Sequence, residues 1–425
     1  MNIVIIGGGF AGTTLVRELQ RRLPQSASLI LISEESYTTF NPLLPEAVGA
    51  ALFPEQAVAP IRAMLRPATR FIMGTVRRID TLQKRLECET LAGSRTLAYD
   101  ELVLAFGSRA RMDLVPGLAE HALALKTVGD ALHIRNTVLR RAARIELETD
   151  TALRRRLGRF VVIGGGFSGV EVAGMLADCL AGLRRFYPRI APGELAVTLL
   201  QDLDRLLPEL PVRLGQAALR SLVERGVDVR IGTRAARVDE EGVWVSSGET
   251  VASATVICTI GTRPNALVQA LGIATERGRI VVRPDLSVPE RPGLWALGDC
   301  ALVPNALDAT PCPPTAQFAV RQAKLLAANL IAAAGGRATR AFAYRARGMM
   351  ASIGHRNGVA QTFGVPLTGL AAWLLWRAYY LSQMPTLSRK LRIFVEWTWG
   401  MFVAVDITHL RFTRSESSAA RGLID

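Results

Sequence analysis

The feature that most constrains the fold is a phrase written twice. Residues 3–16 read IVIIGGGFAGTTLV, and residues 160–174 read FVVIGGGFSGVEVAG. Each copy opens on β-branched apolar residues, passes through three glycines and runs on into a helical pattern. Gly7, Gly9 and Gly12 fill the G-x-G-x-x-G spacing in the first copy; Gly164, Gly166 and Gly169 fill it in the second. The first glycine permits the tight turn out of a buried parallel strand. The second lets backbone approach a pyrophosphate, and the third lets the helix pack on the strand. The helix N-terminus then offers unpaired N–H groups and the positive end of its dipole to phosphate. One copy is a weak signal, because glycine-rich turns are common. Two copies with the same flanks predict two dinucleotide-binding units of α/β, Rossmann-like architecture.

An acidic residue that hydrogen-bonds a ribose is expected about twenty residues beyond such a loop. After the first copy, LILIS ends in Glu34 and Glu35, and Glu34 is the expected ribose partner. After the second, LAVTLL leads to Gln201 at the strand tip. A carboxylate there repels a 2′-phosphate and a glutamine does not, so the second site is expected to take NADPH as well as NADH. Asp202, one residue on, is the competing candidate for the same ribose.

Three further strand ends carry turn glycines. YDELVLAFGSRAR places a buried strand before Gly107, TVICTIGTRPN repeats the pattern before Gly261, and GLWALGDCA runs into Gly298 and Asp299. A carboxylate at the carboxyl end of a strand in an α/β sheet points into the ligand crevice, which makes Asp299 a binding candidate. The stretch PCPPTAQFAVRQAKLLAANLIAAAG reads as a proline-braked turn opening a helix, with Thr315 as N-cap. Residues 127–157 form a charged, arginine-rich helical stretch feeding the second unit.

At 425 residues the chain has room for two or three domains. Its net charge of +14 implies anionic partners. No lysine-rich tail or aromatic-interleaved basic motif points to nucleic acid, which ranks last. Cys88, Cys179, Cys258, Cys300 and Cys312 form no C-x-x-C pair, as expected of reduced structural thiols. Residues 10–87 hold no cysteine, which excludes a disulfide reductase with its redox pair after the first fingerprint. His121, His133, His355 and His409 are isolated in sequence, and no catalytic metal is expected. The first strand begins at Ile3, leaving no room for a leader, so the chain is expected to stay in the compartment where it is made.

The last ninety or so residues change character. LTGLAAWLLWRAYYLSQM carries one internal charge, Arg377, and LSRKLRIFVEWTWGMFVAVDITHLRF interleaves aromatics with Arg389, Lys390, Arg392 and Glu396. Neither supplies the roughly twenty uninterrupted apolar residues of a bilayer span. Both suit helices lying in a membrane interface, with arginines on anionic lipid. A dimer interface or an ordinary core made of the same aromatics is the competing reading.

Taken together, these segments resemble the type II NADH:quinone dehydrogenases among the two-dinucleotide-binding flavoproteins, over essentially the whole length. YTTFNPLLPEAVGA (37–50) is similar to that family's segment beside the flavin, PPTAQFA (313–319) to its flavin- and quinone-contacting motif, GVEVAG (169–174) to its glutamate-bearing helix, and DITHLRF (406–412) to its C-terminal signature. The resemblance implies FAD on the first fingerprint, with Asp299 near the ribityl and phosphate portion and Ala316 touching the isoalloxazine. It implies a nicotinamide nucleotide on the second, Gln317 at the quinone end of the flavin, and Glu171 near the nicotinamide and the proton route. Burial can raise the pKa of a carboxylate in such a crevice, which suits Glu171 to a relay. The chain departs from the family pattern at Phe106, where a threonine is usual, at Arg321, where a glutamine is common and Gln322 stands beside it, and at Gln201.

The resulting expectation is an FAD-binding domain from 1–112 and 265–335, an NAD(P)H-binding domain from 113–264 inserted into it, and a C-terminal membrane-interface segment from 336–425. The expected activity is non-proton-pumping NAD(P)H:quinone oxidoreduction on the cytoplasmic face of a plasma membrane; a homodimer is left open. The rival readings are a sulfide:quinone oxidoreductase using Cys300 and Cys312, a soluble ferredoxin-type reductase, and a nucleotide-sensing flavoprotein without turnover.

Overall fold

The computed structural model describes residues 1–403 and 406–410. The two apolar runs become central parallel strands. β1 (Asn2–Ile6) and β2 (Ser28–Ser33) lie side by side in a seven-stranded sheet, connected by the crossover helix α1 (Phe10–Leu19). In space the strands run Leu294–Ala296, Glu101–Leu104, β1, β2, Thr69–Asp80, Arg85–Thr90, Gly93–Ala98. The first five are parallel and the last three meander antiparallel. A strand covered on both faces needs a continuous apolar run, and Ile3 to Ile6 are all buried. A short helix, α2 (Leu44–Val48), follows in the 37–50 segment.

After Glu101–Leu104 the chain leaves this sheet and returns to it only at 294–296. Between lies α3 (Val128–Leu147), opened by a capping box between Thr127 and Asp130. After it come β3 (Arg159–Ile163), α4 (Phe167–Leu183) and β4 (Ala196–Leu200). The second sheet has five parallel strands in the order Ala122–Ala124, Thr255–Cys258, β3, β4, Asp228–Arg230. The outgoing strand Ser108–Ala110 pairs antiparallel with the returning strand Thr262–Pro264, so the two connections cross as one ribbon.

α5 (Ala316–Ala334) starts where the proline turn ends. A three-stranded antiparallel sheet, Gly348–Ser352, Gly358–Thr362 and Val365–Thr368, leads into α6 (Gly369–Gln383) and α7 (Leu387–Trp399). Trp376, Met384, Ile393 and Trp397 of this last section join the same buried cluster as Leu43, Val48, Ile134, Val172 and Leu176. The aromatic C-terminal stretch is thus core on one face. On the other it is exposed: Leu387, Leu391, Phe394, Val395 and Trp399 stand open. Among the described residues no helix is long and apolar enough to cross a membrane. Beyond α7, Asn136 of α3 holds the backbone of Leu410 through both ends of its amide. Of the DITHLRF signature, Arg411 and Phe412 lie outside the described residues.

Candidate functional site

The two glycine loops are built alike. Gly7 and Gly164 adopt φ of +118° and +111°, a region L side chains rarely enter. A Cβ on Gly12 would collide with the Gly7 carbonyl oxygen, and one on Gly169 with the Gly164 carbonyl oxygen. Those contacts seat each helix on its own turn. Gly9 and Gly166, the N-cap residues of α1 and α4, have open space where a Cβ would stand, and neither helix start carries a side-chain cap. Each loop therefore presents bare backbone beside uncapped N–H groups, which fits the pyrophosphate of an adenine dinucleotide.

Strand register identifies the ribose position in each unit. Ile6 pairs with Ile32, and Ile163 pairs with Leu200. Gly7 and Gly164, next in line, donate to the carbonyls of Ile32 and Leu200, both at 2.8 Å. Counting on, Ser33 corresponds to Gln201 and Glu34 to Asp202. Gln201 is only 4 % exposed; its Oε1 accepts from Gly165 N at 2.9 Å and its Nε2 donates to Arg205 O at 3.2 Å. Its side chain pins the glycine loop from behind, so it is not the ribose-facing group expected from the sequence. Asp202 is exposed and stands level with Glu34, whose carboxylate pairs with Arg109. Of the two candidates read from the sequence, Asp202 rather than Gln201 holds the position level with Glu34.

Gly107 and Gly261 both take positive φ at their turns, +64° and +69°. Asp299 Oδ2 accepts from Ser108 Oγ at 2.9 Å, and Lys126 Nζ donates to that same Oγ at 3.0 Å. Gly298, at φ +74°, donates its N–H to Gln322 Oε1 at 2.8 Å. Gln322, buried on α5, is thereby the glutamine that shapes the Gly298–Asp299 turn, while Arg321 points away and stacks on Tyr344 at 4.4 Å. Ala316 and Gln317 form the first turn of α5; Gln317 Nε2 reaches Gly348 O at 3.4 Å. Phe106, half-buried, packs against the first unit's core.

Glu171 sits two residues beyond Gly169 on α4, 7 % exposed. Its Oε1 accepts from Ser352 N at 3.1 Å and from Trp376 Nε1 at 3.2 Å. Burial pushes its pKa up to about 8, against the pull of those two donors. A residue that motif reading passed over lies in the same core. Glu46 of α2 is 2 % exposed, accepts from Trp397 Nε1 at 2.5 Å and stands 3.8 Å from Arg377. Arg377 in turn stacks on Trp373 at 3.8 Å and Trp397 at 4.8 Å. A lone carboxylate within the apolar run LLPEAVGAAL and a lone cation within AAWLLWRAYYL were the available signals.

All five cysteines are free and buried. Cys300 and Cys312 are both pushed up to about 11 by desolvation, so neither supplies a thiolate at neutral pH. Among the described residues no His, Cys, Asp or Glu group is arranged to hold a metal ion.

Known proteins resemble this architecture throughout. The family model for pyridine nucleotide-disulphide oxidoreductases matches residues 1–323. The type II NADH:quinone oxidoreductase NdhA of Mycobacterium tuberculosis is 30% identical over 420 residues, covering 94% of this chain and 86% of the relative. Its paralogue Ndh from the same organism is 28% identical over 411 residues, covering 93% and 87%. Among solved structures, NDH2 from Plasmodium falciparum in complex with NADH superimposes with a TM-score of 0.90 at 18% identity, covering 96% of this chain and 99% of that one.

Proposed function

The chain belongs to the pyridine nucleotide-disulphide oxidoreductase family and, within it, to the type II NADH:quinone oxidoreductases, and from that membership we propose how its residues divide the work. It is an enzyme that uses FAD and NADH and reduces a quinone: NADH, one proton and the quinone yield NAD⁺ and the quinol. FAD supplies the redox chemistry, accepting a hydride and passing two electrons onward. The protein supplies position, because hydride transfer requires reacting atoms about 3 to 3.5 Å apart.

On our reading the first cradle holds FAD. Gly7, Gly9 and Gly12 bring backbone to its pyrophosphate, Glu34 faces a ribose, and Asp299, fixed by Ser108, meets the ribityl and phosphate portion. Ala316, at the N-terminus of α5, lies under the ring system, and Gln317 marks its quinone end. The second cradle holds NADH through Gly164, Gly166 and Gly169, with Gly107 and Gly261 keeping the two strand ends open between the cofactors. Asp202 favours NADH over NADPH by repelling a 2′-phosphate. Glu171 holds a proton in a water-poor core at neutral pH and can release it to the quinone side.

The observation that carries this reading is the duplicated cradle, each copy with its middle glycine open and its helix uncapped. The purified protein should be yellow; anaerobic NADH should bleach it within the turnover time, and a short-chain quinone should restore the colour. Bleaching by sulfide and not by NADH would replace this function with the sulfide:quinone alternative, which the neutral, buried Cys300 and Cys312 disfavour.

The exposed face of α7 lies against a membrane surface on its cytoplasmic side, as an interfacial helix pair. Its support is the row Leu387, Leu391, Phe394, Val395 and Trp399 beside Arg389, Lys390 and Arg392. The triple variant L391E/F394E/W399E should leave anionic vesicles on co-sedimentation while keeping its flavin. Retained vesicle binding would reject the assignment.

A further inference from the structure

Turnover takes up one proton from solution, since NADH brings two electrons and one hydrogen while the quinol keeps two hydrogens. That proton must reach a site walled by apolar residues. Glu171 is a suitable last holder, yet it lies in the core, 7 % exposed.

Two buried carboxylates share one core, and each is met by an indole N–H from the C-terminal hairpin: Glu171 by Trp376 and Glu46 by Trp397. The two indoles pack together with centroids 6.0 Å apart. Isolated carboxylates are costly to bury, and apolar residues of similar shape would be cheaper if packing were their only purpose. A third carboxylate continues the line. Glu396 precedes Trp397, accepts from Phe53 N at 2.6 Å, and is half-buried. It lines an open, largely apolar cavity of about 440 Å³ on the outer side of α7, where it joins Gln56 and Arg392 as the polar members among Phe53, Leu391, Val395 and Trp399. We propose that Glu46 and Glu396 form the outer leg of a proton route ending on Glu171, drawing the proton that NADH does not bring from the hydrated headgroup layer in which the α7 face would lie.

Charges around the route are few. Glu171 faces Trp376 and Tyr380 of α6 and the backbone of Ser352; Glu46 faces Arg377 of α6 and Trp397 of α7; Glu396 faces Arg135 of α3, Glu55 and Phe53 N. Burial raises all three carboxyls, and the charge of Glu46 raises both of the others further. Arg377 and Arg135 pull the other way and keep Glu46 and Glu396 able to ionise. Each step moves one proton between carboxyls that burial raises, with no oxidant or reductant involved.

The inference rests on the quinone-reducing function proposed above. Its test uses the full-length holoenzyme and the variants E46Q and E396Q. Both glutamines keep an acceptor for Trp397 or Phe53 N but cannot carry a proton. Stopped-flow bleaching by NADH reports folding and the first half-reaction. Reoxidation by a short-chain quinone, in H₂O and in D₂O, reports proton delivery. Reoxidation should slow on the order of tenfold to a hundredfold in both variants, with a larger solvent isotope effect and a bleaching rate like that of the parent protein. Added imidazole, a mobile proton carrier, should restore E396Q more than E46Q. Independently of turnover, the infrared carboxylic-acid band of Glu171, assigned by its loss in E171Q, should titrate roughly one pH unit lower in E46Q than in the parent. Unchanged reoxidation and isotope effect in both variants would overturn the route, and so would equal loss in both half-reactions without imidazole rescue. A parent protein that NADH does not bleach would instead overturn the functional reading itself.

Discussion

The first glycine of the first cradle is braced by backbone, that of the second mainly by side chains. The face of Gly7 that lacks a Cβ abuts the carbonyl of Ala105, which cannot move without moving its strand; the same face of Gly164 abuts Ile260 Cγ2 and Thr259 Oγ1, which can. Glu34 is already tied to Arg109, whereas Asp202 is exposed and makes no ion pair among the described residues. Two residues past the third glycine, α1 carries the half-buried Thr14 and α4 carries the buried, proton-holding Glu171. A rigid seat with its acid pre-positioned suits a cofactor that stays. A softer seat with a free acid suits a nucleotide that must enter and leave at every turnover. One geometry serves two residence times through its neighbours.

The sharpest way to break this contrast is to fill one cradle at a time. Gly12→Ala should give a colourless protein, with FAD affinity lowered on the order of a hundredfold or more, because the new methyl meets a backbone carbonyl. Gly169→Ala should stay yellow and lose NADH bleaching to a similar extent. Flavin loss in the second variant, measured by absorbance of the purified protein, would mean that the two seats are not independent.

A smaller difference concerns pH. Glu171 has a folded-state pKa of about 8 against an ordinary 4.5, so the native protein binds more protons than the unfolded chain between those values. Its contribution to stability is therefore complete below about pH 4.5 and is lost as the pH rises through 8. Thermal melts of wild type should fall relative to Glu171→Gln by several degrees from the acid to the alkaline end of that window. Parallel curves would show that Glu171 is ionised in the fold. Asp202→Asn should raise the NADPH-to-NADH ratio of kcat/KM about tenfold, while Gln201→Asn should leave the ratio unchanged and weaken both nucleotides by loosening the loop. The reverse pattern would restore Gln201 as the discriminating residue. The smallest effect belongs to Arg109→Ala: the pair with Glu34 is partly exposed, and FAD affinity should change less than about fivefold.

Both cradles were legible in the sequence because a glycine turn is a local event: six positions and their flanks specify it. Which of Gln201 and Asp202 stands level with Glu34 was not, since they differ by one step of strand register, and only the pairing of Ile163 with Leu200 places them. Arg321 and Gln322 posed the same problem on a helix, where one residue is a turn of about 100° and exchanges a buried face for a solvent-facing one. The Glu46 contact with Trp397 spans 351 residues of chain, beyond any local pattern. The C-terminal aromatics left membrane interface and core as rival readings, because composition alone does not say which face of a helix is covered; Trp376, Ile393 and Trp397 complete the core on which α4 rests.

That last contact governs what can be done with the molecule in practice. Anyone wanting a freely soluble form cannot cut the tail away, because the cut would strip two indoles from two buried acids and open the floor beneath α4. The outward residues of α7 have to be recoloured one by one while Ile393 and Trp397 are left in place, so that the exposed apolar coat comes off and the keystone stays.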